Sequence, residues 1–195
     1  MAGRVILIVG PSSAGKTTLA RAIQAAADAP FLLQSLDGLF AGVPERWASG
    51  GSDREAGFRY VEAAGVTRIA YGPVGWRMLQ GFHRAVATQA RAGVNVVADD
   101  MLLDAACLPD WAEALEGLDA VLVRLTASPE ALARHERDRP HGRKPGLAAG
   151  HAELHARLAA DLVIDTSMAT PEEAAAQVLA LRPDEPVLRR PHGLA

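Results

Sequence analysis

The eight residues Gly10-Pro11-Ser12-Ser13-Ala14-Gly15-Lys16-Thr17 match the pattern G-x-x-x-x-G-K-[ST] at every fixed position, and few short stretches restrict a fold so tightly. Val5 to Val9 precedes them as a continuous apolar, largely β-branched run, which suits a strand buried on both faces of a parallel sheet. Thr18 to Ala27 follows, rich in Ala and Leu with apolar spacings of three and four, so a helix begins at the lysine. A phosphate chain must be gripped without water, and successive backbone N–H groups at the positive end of a helix do this. Gly10 and Gly15 allow close backbone approach, Ser12, Ser13, Ala14 and Thr18 supply further backbone and side-chain contacts, Lys16 reaches the β/γ-phosphates, and the Thr17 hydroxyl can ligate Mg²⁺. The stretch predicts a nucleoside triphosphate site.

A length of 195 residues predicts one domain with ample core, and a 49% hydrophobic, 22% charged composition is that of a soluble globular chain. The net charge of −3 gives no general attraction to nucleic acid or to an anionic membrane. Cys107 stands alone, so no disulfide framework is expected, and no apolar run is long enough to span a bilayer. With no leader pattern ahead of the first strand, a cytoplasmic location is the expectation. The histidines lack metal-ligand spacing, and nothing in the sequence bears on oligomeric state.

Further strands are expected at residues 31–35, 94–98, 120–125 and 162–164, separated by helical patterns at 73–92, 108–115, 128–139, 147–158 and 170–181. Ser128-Pro129 and Thr170-Pro171-Glu172-Glu173 carry helix-start signals. Between Asp37 and Gly72 the pattern loosens, and short helices and loops are expected over one end of the sheet. The fold class that follows is α/β: a P-loop NTPase with a doubly wound, five-stranded parallel sheet, helices on both faces and a small Arg-rich lid. Residues 1–182 form a single domain in this reading, with the lid at about 134–147, and 183–195 read as a C-terminal tail.

Asp99 and Asp100 end a buried strand, where P-loop proteins place a carboxylate that holds Mg²⁺, and either could be the one that faces the metal. Asp37 closes the second strand at the same end of the sheet; it is either an Asp-Gly turn residue or a carboxylate placed to take a proton from an acceptor hydroxyl. Arg134, Arg137 and Arg139, with Arg143 and Lys144 beyond, form the densest cationic segment and are interrupted by Pro and Gly as a lid would be. Closing over the triphosphate, Arg134 would grip it, and Arg137 and Arg139 would neutralise charge developing in the transition state. His135 reads as surface, and Trp47, Tyr71, Trp76 and Phe82 as core or, for one or two, an acceptor pocket.

With these residues placed, the chain resembles the chloramphenicol phosphotransferase-like family of small P-loop kinases. The resemblance is carried by Gly10 to Lys16, Leu36-Asp37, Val97-Ala98-Asp99-Asp100 with Leu102, Val123-Arg124, the Arg134/Arg137/Arg139 cluster, Gly146 to Ala149, and Asp161 to Thr166. It implies an adenylate-kinase-like fold, ATP and Mg²⁺ as cofactors, and phosphorylation of a hydroxyl on chloramphenicol or a related antibiotic. It also implies that Asp37 is the general base, beside Lys16, Arg137 and Arg139 as catalytic groups. Residues 41–71 match the family poorly, which leaves a metabolic kinase of the shikimate or gluconate type, or a nucleotide-sugar toxin kinase, as alternatives for the acceptor. A GTPase switch would need an Asn-Lys-x-Asp motif, yet Asn95 is the only asparagine and Val96 follows it.

Overall fold

The computed structural model describes residues 1–138 and 144–189. In chain order it runs β1 (Val5–Val9), α1 (Lys16–Ala26), β2 (Phe31–Ser35), α2 (Leu36–Ala41), β3 (Phe58–Ala63) and β4 (Val66–Tyr71). There follow α3 (Pro73–Arg91), β5 (Asn95–Asp100), α4 (Cys107–Ala114), β6 (Ala120–Thr126) and α5 (Pro129–Asp138). The chain ends with α6 (Leu147–Gly150), α7 (Ala152–Ala156), β7 (Leu162–Asp165) and α8 (Pro171–Ala180).

All five residues of β1 are fully buried because the strand is central: the sheet order is β2-β5-β1-β6-β7, with every neighbouring pair parallel. Alternation sends Val5, Leu7 and Val9 to one core cluster and Ile6 and Ile8 to the other, which is why this strand reads as an unbroken apolar run. Leu79, Val86 and Ala90 of α3 and Trp111 of α4 cover the first face; Leu19, Ala20 and Ile23 of α1 and Ala174, Ala175 and Val178 of α8 cover the second. The doubly wound, five-stranded parallel architecture expected from the sequence is the architecture found.

Three local expectations are corrected. Residues 37–72 are not only short helices and loops, since β3 and β4 pair there as an antiparallel hairpin. Its two-residue turn is Ala64-Gly65, both at positive φ (49° and 77°), the geometry that matches strand twist; an alanine in that position hides the turn signal. The helix expected at 147–158 is two short ones, α6 and α7, broken where Gly150 meets the hairpin. A Cβ on Gly150 would lie 1.8 Å from the Thr67 carbonyl oxygen. The segment after Arg182, expected as a tail, docks over its described part: Val187 and Leu188 are buried, and the Val187 N–H donates to Asp161 at 2.7 Å. No helix among the described residues is long and apolar enough to cross a membrane.

Candidate active site

β1 delivers its last residue into a loop whose backbone is shaped for an anion. Gly10 packs so closely under β6 that a Cβ would sit 2.9 Å from the Leu125 carbonyl oxygen. Ser13 and Gly15 take left-handed φ values of 64° and 87°, and Gly15 opens α1 with no side chain capping the helix. The N–H groups of the first turn therefore point outward without a side-chain acceptor from the cap, at the positive end of the helix dipole. The Lys16 ammonium donates to the carbonyls of Gly10 and Pro11 at 3.0 and 2.9 Å, folding back across the loop it belongs to.

A cavity of about 470 Å³ lies over this loop. Ser12, Ser13, Gly15, Lys16, Thr17 and Thr18 form its floor. Gly10 and Ala14 are not in its lining: the Gly10 carbonyl holds Lys16, and Ala14 is buried at the base of the loop. At one end the connection from β7 to α8 contributes Thr166, Ala169, Thr170 and Pro171. At the other stand Leu36, Asp37 and Phe40 of α2, Tyr60 and Ile69 of the hairpin, Met101 and Leu147.

The two adjacent aspartates part company here. The Thr17 hydroxyl donates to Asp99 Oδ2 at 2.5 Å, and Asp99 lines the cavity. Burial pushes the Asp99 carboxyl above the usual carboxylate range, although Lys16 and the Thr17 hydroxyl pull the other way. Asp100 is corrected as a metal ligand. It shares a face of β5 with Val96 and Ala98, so its side chain enters the core below α3 and α4. There Trp111 Nε1 donates to its Oδ2 at 2.7 Å and the Leu102 N–H to its Oδ1 at 2.9 Å, and His83 Nε2 stands 3.6 Å away. Burial opposes the Asp100 charge, but the His83 ring and these donors outweigh it and hold the carboxyl below its ordinary range. His83 in turn meets Asp110 at 2.5 Å and stacks on Trp111 with ring centroids 4.1 Å apart. Two oxygen donors in contact at the cavity edge, Thr17 and Asp99, fit Mg²⁺, which takes one or two protein oxygens and completes its shell with water and phosphate.

Asp37 lies in the first turn of α2, directly after β2, where the Ser35 hydroxyl accepts the Gly38 N–H at 3.0 Å and caps the helix. Burial raises both Tyr60 and Asp99, and the Asp37 charge adds to the rise of each. Arg134 and Arg137 are exposed on α5 and do not line the cavity; Arg139 and Arg143 lie outside the described residues. The α5 residue that does line it is His135, whose Nδ1 is 3.2 Å from the Ser13 carbonyl. Of the four aromatics considered for an acceptor pocket, none lines this cavity: Tyr71 stacks on Trp76, Phe82 packs against Trp111, and Arg46 lies over Trp47. Phe40 and Tyr60 take that place. Sequence reasoning missed them because the hairpin that presents Tyr60 was not seen.

Residues 145–151 are fastened to the hairpin. The Thr67 N–H donates to the Gly146 carbonyl at 3.1 Å and its hydroxyl to the Pro145 carbonyl at 2.7 Å. Arg68 Nε reaches the Gly150 carbonyl at 2.7 Å, and the Ile69 N–H donates to His151 Nε2 at 3.1 Å. From the other side Glu136 accepts the Gly146 and Ala148 N–H groups, both at 3.0 Å.

The sequence profile of the chloramphenicol phosphotransferase-like proteins matches residues 3–182. The chain belongs to the chloramphenicol phosphotransferase-like family. Within reach of this member are two curated Mycobacterium tuberculosis proteins, from strains CDC 1551 and H37Rv, each named "Putative O-phosphotransferase". Each is 32% identical over 183 residues, covering 91% of this chain and 80% of its own. Among solved structures, a sugar kinase from Janibacter sp. HTCC2649 superposes with a TM-score of 0.63 at 16% identity, covering 92% of this chain and 94% of its own. The Mycobacterium tuberculosis APS kinase bound to AMPPNP and APS superposes with a TM-score of 0.65 at 14% identity, covering 92% and 97%. At these identities the likeness is one of fold. Family and fold together make the chain a phosphotransferase enzyme of the P-loop kinase type.

Proposed function

We propose that the protein transfers the γ-phosphoryl group of ATP to a hydroxyl of a small molecule, and that the first acceptor to examine is chloramphenicol or a related hydroxylated antibiotic, inactivated in the cytoplasm. The observation that carries this reading is the single cavity shared by the phosphate loop, the Thr17–Asp99 pair and Asp37. The nucleoside would lie toward Thr166 to Pro171 and the acceptor toward Asp37. Thr17 and Asp99 would hold Mg²⁺, which when bound neutralises charge on the phosphate oxygens.

Lys16 leaves the Gly10 and Pro11 carbonyls for the β/γ-phosphates, an exchange of one set of oxygen acceptors for a more negative one. Arg134 and Arg137 lie one helical turn apart on the exposed face of α5, turned from His135 and outside the cavity lining, and with Arg139 they would have to swing in to meet the triphosphate as transition-state charge develops. Asp37 orients the acceptor hydroxyl and takes its proton as the new P–O bond forms. A panel of hydroxylated acceptors with labelled ATP, including shikimate, gluconate and a nucleotide-sugar, identifies the acceptor class. Asp37→Asn should keep ATP affinity while transfer to the best acceptor falls by about 10²–10⁴-fold. Wild-type kcat across the pH range in that variant would remove Asp37 as the base.

A further inference from the structure

The side chain that α5 sends into the main cavity is one whose charge depends on pH. Ala131 and Leu132 are buried, and His135, one turn further along the same face, lines the cavity beside Ser13 and Lys16. The permanently charged Arg134 and Arg137 stay on the exposed face, outside that lining. The partner of the ring fixes its tautomer. Nδ1 stands 3.2 Å from the Ser13 carbonyl oxygen, which can only accept, so Nδ1 carries a proton. On a neutral ring Nε2 is then a bare lone pair, and it has no partner among the described residues. A phosphate oxygen also only accepts. Facing it, a neutral ring would oppose one acceptor to another, whereas an imidazolium donates to Ser13 and to the phosphate at once.

Of the charged groups around the ring, Glu136 is engaged with the Gly146 and Ala148 N–H groups and Asp99 with the Thr17 hydroxyl. Lys16 folds across the phosphate loop, Lys144 lies over the Tyr60 ring, and Asp138 is exposed with the two arginines. No carboxylate among the described residues is paired with the ring, so an incoming anion is the group that gains from its charge. We propose that His135 is a proton-linked ligand of the bound polyphosphate: Nδ1–H keeps Ser13, Nε2 takes a proton from solvent, and the new Nε2–H donates to a phosphate oxygen. Binding that favours the protonated ring tightens as pH falls. That the ligand is a nucleotide rests on the phosphotransferase reading of the cavity. That the ring must be cationic to meet any phosphate rests on the Ser13 contact.

The test is calorimetric titration of ATP with Mg²⁺, without acceptor, into the wild type, His135→Gln and His135→Arg. HEPES and Tris, whose ionisation enthalpies differ, give the protons taken up per ATP bound, and subtracting the variants removes the proton equilibria of ATP itself. Gln keeps a donor for Ser13 and cannot gain the charge; Arg carries the charge at every pH. The wild type should take up a fraction of a proton that neither variant takes up. Its affinity should gain about tenfold more than that of His135→Gln between about pH 8 and 6, the scale of one charge-assisted hydrogen bond over the range of a histidine. His135→Arg should bind at pH 8 as tightly as the wild type does at pH 6. A ring that merely props the loop would leave the proton count alike in all three. Equal uptake in the wild type and His135→Gln, or a pH slope in His135→Arg as steep as that of the wild type, would overturn the proposal. Should His135→Gln fail to fold, the comparison with His135→Arg decides alone. Inorganic tripolyphosphate is the second probe. If it binds with uptake that depends on His135 while ATP does not bind, the phosphotransferase reading falls and the proton-linked contact stands. ATP bound without that uptake does the reverse, and a protein that binds neither overturns both.

Discussion

Asp100→Asn should cost stability and spare the site, the opposite of what a metal ligand would do. The carboxylate is buried and accepts from two buried donors, Trp111 Nε1 and the Leu102 N–H, at 2.7 and 2.9 Å. An amide of the same shape can turn its oxygen to one of them and never to both, so one donor is left without an acceptor. That costs about 1–3 kcal/mol, and the close approach of the His83 ring at 3.6 Å loses its carboxylate as well. A total of about 3 kcal/mol corresponds to a fall in Tm of about 6–12 °C for a chain of this length. Calorimetric melting beside titration of ATP and Mg²⁺ gives both quantities from one preparation. ATP affinity and Mg²⁺ dependence should survive, because the Thr17–Asp99 contact lies on the other face of the strand. An unchanged Tm with Mg²⁺-dependent turnover lost would refute the argument and return Asp100 to the metal.

Lys16→Ala should fold normally and lose nearly all phosphoryl transfer, which a circular-dichroism melt and a labelled-ATP assay decide together. Gly150→Ala forces a Cβ against the Thr67 carbonyl, so the bonds from Thr67 and Arg68 to residues 145–150 should open; hydrogen exchange at the Thr67 amide should rise well before the β1 amides respond. Acidification should destabilise the fold through His151 and His155. Burial, with Lys16 and, for His151, Arg68 nearby, lowers both from their ordinary value to about 4. The unfolded chain therefore binds more protons between about pH 6.5 and 4, so stability is whole above that window and drains as pH falls through it. At pH 5 the loss is about 2 kcal/mol for each histidine, read as a drop in urea midpoint relative to pH 7; a midpoint that is flat or rises would count against neutral, buried rings.

What could be read in advance was what depends on neighbours in sequence. The phosphate loop, its flanking strand and helix, and Asp37 at the end of β2 are local patterns, and each is where its pattern put it. The hairpin escaped because its turn uses Ala64, and because Gly42, Pro44, Gly50 and Gly51 upstream suggested continued irregularity. Asp99 and Asp100 were separable in principle. Once β5 is extended to Asp100, alternation puts Asp99 with Val97 on the α1 face and Asp100 with Ala98 on the α3 face. Ending the strand at Ala98 concealed that. His135 was beyond reach, since its partner Ser13 is 122 residues away and nothing in a basic helix marks one residue as facing inward.

The bonds between β4 and residues 145–151 join two walls of the main cavity. Tyr60 and Ile69 line the same cavity as Asp37, while Glu136 ties the same segment to α5, the helix whose His135 rests on the phosphate loop. A molecule that orders one wall lowers the entropy still to be lost by the other. Thermodynamic reciprocity then requires that, by whatever factor acceptor tightens nucleotide, nucleotide tightens acceptor. On the proposed reading each ligand has one affinity alone and another in company, and comparing that ratio in the wild type and in Gly150→Ala tests whether the hairpin carries the coupling.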